Sequence, residues 1–177
     1  MKPIALVGLR CAGKSSVGRA LAAALELPFV DLDEELAARS ASAESAGALL
    51  EELGEPAFRE LEAATLAECL ARGPQVLATG GGAVESPESC ELLRSDARVI
   101  WLDASEEELL ARRAADDTLR PLLGGVDPRE ELTILSERRR PIYESLSRGP
   151  VDTTARSLEE LVEELAERLR NEGGSAD

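Results

Sequence analysis

Short apolar runs alternate along the chain with longer segments in which apolar residues recur every three or four positions. The longer segments predict amphipathic helices. We interpret the short runs as buried strands, and they cover residues 4–9, 29–33, 76–79, 99–102 and 151–153. Strands that alternate with helices predict a parallel sheet covered on both faces, and ligands of such sheets bind beyond the carboxyl ends of the strands.

The same pattern locates the helices. They are predicted from residue 14 to a break at Pro28, from about 34 to 72 with an interruption near 54–56, over 105–113, over 128–147 with a break near Pro141, and over 158–169. Ser105 and Glu108 form a capping-box pair at the start of one of them. Residues 114–126 lack periodicity, which predicts a loop, and residues 171–177 are expected to fray.

Composition limits the class of protein. A chain of 177 residues with 44% hydrophobic residues fits one globular domain, predicted over 1–177. The net charge of −15 argues against nucleic acid or an anionic membrane as partner. No apolar run approaches the roughly 20 residues that cross a bilayer, and the amino terminus does not resemble a signal peptide. We therefore expect a cytoplasmic protein, and a monomer.

The absence of histidine and the spacing of the cysteines exclude several kinds of catalytic and metal site. The chain contains no histidine, which removes histidine acid–base catalysis and histidine-ligated metals. Its three cysteines, Cys11, Cys69 and Cys90, match no metal-binding or CxxC spacing, so we interpret them as reduced thiols.

A phosphate-binding loop is the strongest motif. Residues 8–15, GLRCAGKS, match the pattern GxxxxGK[ST] without a mismatch. Backbone N–H groups of such a loop and the following helix N-terminus form a cradle for anions. Lys14 is expected to bridge the β- and γ-phosphates of ATP, and Ser15 to ligate Mg²⁺. A chance match is the alternative, but the motif follows a predicted strand and opens a predicted helix. The predicted ATP-binding residues of the loop are Cys11, Ala12, Gly13, Lys14, Ser15 and Ser16.

Asp31 and Asp33 are a second candidate pair. If both lie on the strand predicted over residues 29–33, they point to one face, beside the phosphate loop. One carboxylate can hold Mg²⁺ through water, and the other can accept a hydrogen bond from an attacking hydroxyl. The alternative is a turn with a helix N-cap before Glu34 and Glu35.

The segments GLRCAGKSSVGR, FVDLDEEL, GEPAFRELE, TGGGAV, RPLL and ERRRPIYE occur in an order that resembles the shikimate kinases. The resemblance covers about residues 3–170. It implies a three-layer α/β/α fold with a five-stranded parallel sheet, similar to P-loop nucleoside monophosphate kinases. It also implies ATP and shikimate as substrates, Mg²⁺ as cofactor, and shikimate 3-phosphate and ADP as products.

The resemblance also assigns roles at the acceptor side, in a substrate-binding region of about residues 33–62 and beyond. It assigns Asp31 to the metal and Asp33 to the substrate hydroxyl, as orienting group and base. Arg59 and Arg139 would clamp the shikimate carboxylate, a task that suits the planar guanidinium group. Arg138 and Arg140, which flank Arg139, are interpreted as surface charges. An i,i+4 partner for a glutamate is the alternative role of Arg59.

Three consecutive glycines follow the third predicted strand. Gly80, Gly81 and Gly82 lose much backbone entropy on folding, which makes sense where a ligand approaches the backbone closely. The resemblance places them against the substrate ring, and a flexible loop is the alternative.

The nucleotide side has further implied residues. The resemblance makes residues 113–126 a lid in which Arg120 stabilises the transition state. It places Arg113 and Arg156 beside the adenine. Asp103 follows an apolar run and resembles a Walker B aspartate, although a strand–helix turn explains it better.

Two rivals remain open. One is another small-molecule P-loop kinase, such as a gluconate kinase, since paired arginines favour any organic acid. The other is a catalytically silent ATP-binding protein. The order of the quoted segments favours the first interpretation, and Lys14, Ser15, Asp31, Asp33 and Arg120 together argue against a silent protein.

Cys11 stands where most shikimate kinases have glycine. A thiol at a helix N-terminus can have a lowered pKa, so redox control through Cys11 is a hypothesis. It predicts that peroxide changes the kinetics of the native protein and leaves a Cys11→Ser variant unaffected. Identical kinetics of both proteins before and after peroxide would contradict it.

Overall fold

The computed structural model describes residues 1–115 and 127–173. Its sheet has five strands in the order β2-β3-β1-β4-β5, and every pairing is parallel. The strands are β1 Ile4–Val7, β2 Phe29–Asp31, β3 Val76–Ala78, β4 Arg98–Asp103 and β5 Pro150–Asp152. The predicted five-stranded parallel sheet is confirmed.

Eight α-helices lie in the described residues, and they cover both faces of the sheet. They are α1 Lys14–Leu25, α2 Leu32–Ala37, α3 Ala46–Leu53, α4 Glu55–Ala71, α5 Pro87–Asp96, α6 Glu106–Ala114, α7 Pro128–Leu146 and α8 Leu158–Gly173. A single 3₁₀ turn, Ala83–Glu85, follows β3.

The core forms where the helices meet the sheet. All four residues of the central strand β1 are buried, as parallel strands covered on both faces require. In α8, Leu161, Leu165 and Leu169 form a buried stripe, and this helix packs on α1. Trp101 of β4 and Tyr143 of α7 place their ring centroids 5.7 Å apart. With few aromatic residues in the chain, aliphatic side chains fill most of this core.

The order of the strands creates a crevice. After β1 the chain runs to β2 at the sheet edge, returns to β3 beside β1, and then crosses to β4 on the other side of β1. Neighbouring connections that leave in opposite directions open a cleft at the carboxyl ends of the strands, where ligands bind. The phosphate loop, Asp33 and Gly80 all follow strand ends at this edge.

The structure corrects the prediction for residues 29–33. Strand β2 ends at Asp31, and Asp33 lies in the first turn of α2. The Asp31 side chain accepts a hydrogen bond from the Asp33 N–H and caps the helix. Three acidic residues then follow in the first turn, where the helix dipole favours negative charge. The capping alternative therefore describes the local structure of Asp31.

Three helix predictions also differ from the structure, and the first is that residues 38–45 further interrupt the helix predicted over about 34–72. Helix α7 continues through Pro141 without the predicted break. A proline removes one helical hydrogen bond, and Leu132, Arg139 and Tyr143 are buried along the same helix on both sides of it. Helix α5 was not predicted, although Ser86 caps it and Pro87 begins it. The capping box at Ser105 is confirmed, since its side chain accepts from the Glu108 N–H.

Three further sequence expectations concern residues that lie wholly or partly outside the described part of the chain. Arg120 and most of the predicted lid lie outside them, as do residues 174–177 of the predicted frayed end. Residues 171–173 belong to α8. Within residues 1–115 and 127–173 there is no helix with the length and apolar character to cross a membrane.

Candidate active site

The phosphate loop connects β1 to α1 in a conformation that depends on glycine. Gly8 has φ +149°, and a Cβ there would clash with the Leu102 carbonyl oxygen of β4. Gly13 has φ +93° and directly precedes α1. Cys11 has φ +64°, a left-handed conformation that costs a side-chain residue about 1–2 kcal/mol. Glycine at this position would avoid the steric cost. The loop adopts the left-handed conformation at this position even with a cysteine there.

Lys14 folds back over its own loop. Its Nζ donates to the carbonyl oxygens of Gly8 at 3.0 Å and Leu9 at 2.9 Å. Burial lowers the pKa of Lys14 to about 8, and the positive charge of Arg139 acts in the same direction, while Asp33 and Asp31 oppose it. The ammonium group therefore donates to neutral carbonyl oxygens, which are weaker acceptors than the charged oxygens of a phosphate.

Ser15 and Asp31 form the predicted metal side. The Ser15 hydroxyl donates to Asp31 Oδ2 at 2.6 Å, so two oxygen ligands lie together beside the phosphate loop. Magnesium prefers oxygen ligands and keeps several waters in addition to substrate phosphates. No cluster of three or more acidic or cysteine side chains suited to a metal occurs in the described residues. The oxygen pair therefore fits an ion that a nucleotide brings with it, and not a cage of protein ligands.

The three consecutive glycines each face a different predicted site residue. A Cβ built on Gly80 would lie 2.7 Å from Asp33 Oδ1. The same construction gives 3.5 Å from Gly81 to Arg139 Nη1, and 2.6 Å from Gly82 to Arg59 Nη2. A Cβ at position 80 or 82 would displace the facing Asp33 or Arg59 side chain, whereas one at position 81 would lie at ordinary van der Waals distance from Arg139.

Gly81 also connects the acceptor side to the phosphate loop. Its Cβ position lies 3.6 Å from the Arg10 backbone nitrogen and 4.0 Å from the Gly8 carbonyl oxygen. One carboxylate and two guanidinium groups thus converge beside the anion cradle. The structure brings these three predicted residues together.

Two buried glutamates that the sequence interpretation missed hold the arginines. Glu85 accepts from Arg139 Nε at 3.1 Å and lies 3.5 Å from Arg59 Nη2. Glu62 accepts from Arg59 Nη1 at 2.7 Å and is 1% exposed. Burial raises the pKa of Glu62, and the charge and hydrogen bond of Arg59 oppose this effect. Arg59 also lies 3.6 Å from Glu55, the i,i+4 partner considered above.

Two further polar residues support the loops. Tyr143 donates to the Gly81 carbonyl oxygen at 3.1 Å, and burial raises the pKa of its phenol. Arg112 donates to the carbonyl oxygens of Cys11 at 3.3 Å and Thr153 at 2.8 Å. The quoted segment ERRRPIYE contains Tyr143, so the motif carried a signal for it, whereas Arg112 shows none.

The remaining candidates occupy other positions. Arg113 forms an ion pair with Glu131 at 2.7 Å, and Arg156 forms one with Glu164 at 2.7 Å. Arg138 is exposed, as expected for a surface charge, but its Nε also lies 2.9 Å from Glu85.

Arg140 and Asp103 pair with each other. Asp103 is the last residue of β4, and it accepts from Arg140, whose guanidinium group lies over Trp101. This pairing agrees with a structural role for Asp103. The interpretation of Arg140 as a plain surface charge was incomplete. Ala12 is buried, and Ser16 is exposed on the first turn of α1.

A parallel five-stranded sheet, a GxxxxGKS loop and an adjacent pocket with paired arginines define a P-loop phosphotransferase. Comparison with known proteins agrees. The family model described as shikimate kinase matches residues 10–170. The shikimate kinase of Bordetella pertussis is 44% identical over 168 residues, which are 95% of this chain and 78% of that protein. The shikimate kinase of Corynebacterium efficiens is 43% identical over 96% of this chain and 97% of its own length.

Solved structures give the same result. A shikimate kinase from Acinetobacter baumannii in complex with shikimate aligns with a TM-score of 0.88 and 30% identity, covering all of this chain and 96% of the other. A gluconokinase from Sinorhizobium meliloti aligns with a TM-score of 0.62 and 24% identity, over 97% of both chains, and shows the common fold alone. The chain belongs to the shikimate kinase family, phosphotransferases that use ATP and an alcohol group as acceptor.

The lowered pKa of Lys14 predicts that nucleotide binding takes up protons. With a pKa of about 8, Lys14 is partly neutral in the empty protein above that pH. Phosphate charges favour the ammonium form and raise the pKa, so the complex binds more protons than its components. At about pH 8.5 we expect fractional proton uptake that is much smaller at about pH 7. Calorimetric titration with MgATP in two buffers of different ionisation enthalpy measures it.

Lys14→Arg is the matched control, because a guanidinium group stays protonated throughout this range. Its binding enthalpy should be independent of the buffer. Buffer-independent enthalpies for the native protein at the higher pH would show that Lys14 is already charged in the empty loop.

Proposed function

We propose that the chain transfers the γ-phosphoryl group of ATP to the 3-hydroxyl of shikimate, giving shikimate 3-phosphate and ADP. The observation that supports this most is that Asp33, Arg139 and Arg59 face the three consecutive glycines beside the phosphate loop. An acceptor bound there by its carboxylate would have a hydroxyl within reach of both Asp33 and the nucleotide.

The phosphate loop supplies positioning and charge. Its backbone amides and the N-terminus of α1 would bind the β- and γ-phosphates. Lys14 would exchange the carbonyl oxygens of Gly8 and Leu9 for phosphate oxygens. Phosphate oxygens would favour the charged form of this partly desolvated ammonium group, and that charge would stabilise the phosphates during transfer. Cys11, Ala12, Gly13, Ser15 and Ser16 would complete the nucleotide contacts.

Ser15 and Asp31 would hold Mg²⁺, with Asp31 acting through water. The ion, when bound with the nucleotide, neutralises charge on the transferring phosphates. Asp31 also caps α2 through its other oxygen, which accepts the Asp33 N–H at 3.0 Å. The Asp31 carboxylate therefore contributes to the proposed metal side and also positions Asp33.

The acceptor is bound by charge and oriented by Asp33. Arg59 and Arg139 would grip its carboxylate, and their attachment to Glu62 and Glu85 fixes both guanidinium groups before the acceptor arrives. Asp33 would accept a hydrogen bond from the attacking hydroxyl and take its proton as the oxygen bonds to phosphorus. Gly80, Gly81 and Gly82 would let the ring lie against the backbone. Preorganised groups of this kind lower the barrier because little reorientation remains during reaction.

Three residues complete the proposal on the nucleotide side. Arg120, on the lid predicted over residues 113–126, would bind the transferring phosphoryl group. Arg113 and Arg156 would flank the adenine, which requires their ion pairs with Glu131 and Glu164 to open or rotate. The net charge of −15 disfavours nucleic acid as a partner, and we expect a cytoplasmic monomer that binds no nucleic acid.

A coupled assay of ADP release tests the proposal. It compares shikimate, gluconate and no acceptor at saturating MgATP. Turnover with shikimate alone supports the proposed acceptor. Turnover with gluconate would make this a kinase of a different acid, and equal ADP release without any acceptor would make it an ATPase.

Substitutions at the acceptor side should separate acceptor binding from nucleotide binding. Asp33→Asn removes the proton acceptor, so we expect kcat to fall about 10²- to 10⁴-fold. Arg59→Ala removes a charged hydrogen-bond donor, so we expect the KM for shikimate to rise about tenfold or more. The Kd for MgATP, measured by calorimetry, should stay within about twofold in both variants.

Arg39→Ala is the matched control for Arg59→Ala. Arg39 also pairs with a glutamate, Glu68, but it does so on the surface. Its loss should leave all three constants unchanged. An equal loss of MgATP affinity in the Asp33 and Arg59 variants would refute the division of the site into two sides.

A further inference from the structure

A second cavity lies at the opposite edge of the sheet from the phosphate loop. Its volume is about 770 Å³, and it is bordered by the amino-terminal ends of β1 and β4, the end of α1 and the last turns of α7 and α8. Pockets that bind small molecules have volumes of about 300–1,000 Å³. No residue of the phosphate loop or the acceptor side lines it.

The floor of this cavity is apolar. Ile4, Ile100 and Leu169 line it and are nearly fully buried, and Leu25 and Leu146 line it from the ends of α1 and α7. Aliphatic walls of this kind favour a ligand with an apolar body.

The charge of the cavity is opposite to that of the chain. Among the described residues, five cationic side chains line the cavity, but only two acidic side chains do, those of Glu26 and Glu172. The chain as a whole has 35 acidic and 20 basic residues. The cationic residues are Lys2, Arg98, Arg148, Arg168 and Arg170. A concentration of positive charge in so acidic a protein attracts anions locally.

Three of the arginines converge on one carboxylate of the protein itself. Glu172 Oε2 is shared by Arg98 and by Arg148, whose Nη1 lies at 3.2 Å, and Oε1 accepts from Arg168 Nε at 3.3 Å. Burial acts to raise the pKa of Glu172, but the Arg168 hydrogen bond and the charges of Arg98 and Arg148 hold it below its ordinary value. Three guanidinium groups around one carboxylate leave positive charge that Glu172 does not neutralise.

We propose that this cavity binds a small organic anion with an apolar body and a carboxylate head group, and that Glu172 occupies the head-group position when the ligand is absent. The internal contact demonstrates that the arginines can coordinate a carboxylate at this place. Guanidinium groups bind carboxylates through paired hydrogen bonds, so a ligand carboxylate can replace that of Glu172 without rearrangement of the arginines. The apolar floor then distinguishes such a ligand from a simple inorganic anion.

Methyl NMR spectroscopy of the full chain tests the proposal with 3-phenylpropanoate as probe. Titrations are followed at the methyl groups of Ile4, Leu25 and Leu146, with MgADP and shikimate present to occupy the other site. We expect saturable shifts with the probe and none with acetate, which lacks the apolar body, or with 3-phenylpropan-1-ol, which lacks the charge. Inorganic phosphate and phenyl phosphate test whether the head-group site also accepts phosphates.

Three variants determine the role of the charges. Glu172→Gln removes the competing carboxylate, so the Kd of the probe should fall about three- to tenfold. Arg148→Gln, at a side chain that is 79% exposed, should raise the Kd by a similar factor with little effect on folding. Glu167→Gln makes the same charge change as Glu172→Gln on an exposed part of α8 and should leave the Kd unchanged.

Several outcomes would overturn the proposal. Absence of saturable shifts at these methyl groups in Glu172→Gln, with an unchanged melting temperature, would show that the cavity binds no such anion. Equal binding of the alcohol would show that the arginines play no part, and saturation by phosphate at the affinity of 3-phenylpropanoate would show that the apolar floor plays none. Equal effects of Glu172→Gln and Glu167→Gln would reduce the role of Glu172 to its contribution to net charge.

Discussion

The site depends on one electrostatic constraint: guanidinium groups drawn into a pocket need carboxylates beside them. Arg139 is 8% exposed, and Glu85, with a side chain that is 9% exposed, binds it while also approaching Arg59. Glu62, which is still more deeply buried, accepts a hydrogen bond from Nη1 of the same Arg59 guanidinium group. Removing one partner of such a cluster leaves a buried charge without compensation, which is strongly destabilising. The glutamates therefore hold the two arginines beside the glycines, so the proposed acceptor site contains a preorganised pair of cations.

The same constraint explains how so acidic a chain binds anions. With 35 acidic and 20 basic residues, the average field repels phosphate and carboxylate. The proposed phosphate site relies instead on backbone dipoles and one lysine, whose pKa burial lowers to about 8. The cavity at the far edge of the sheet uses clustered arginines instead. Local arrangement of charge, and not net charge, determines which ligands bind.

The sequence predicted much of the architecture and part of the site. The phosphate loop was recognisable because its function requires glycines, a lysine and a serine at fixed spacing within eight residues. The parallel sheet followed from alternating apolar runs. Asp33 was placed on a strand because a short apolar run does not show where a helix begins, and the cap formed by Asp31 decides that point. Helix α7 continued through Pro141 because buried side chains on both sides outweigh one lost hydrogen bond.

By itself, the sequence determined the anion cradle, the parallel order of strands and helices, and the family to which the chain belongs, because each resides in local patterns. Only the tertiary structure decided that Glu85 joins Arg59 and Arg139, that Tyr143 fixes the Gly81 carbonyl, and that Glu172 meets three arginines. The contacts of Glu85 and Tyr143 connect residues 26 to 62 positions apart, and the contact of Glu172 with Arg98 spans 74. Such pairings depend on how the helices dock on the sheet, which the spacing of residues along a chain does not encode.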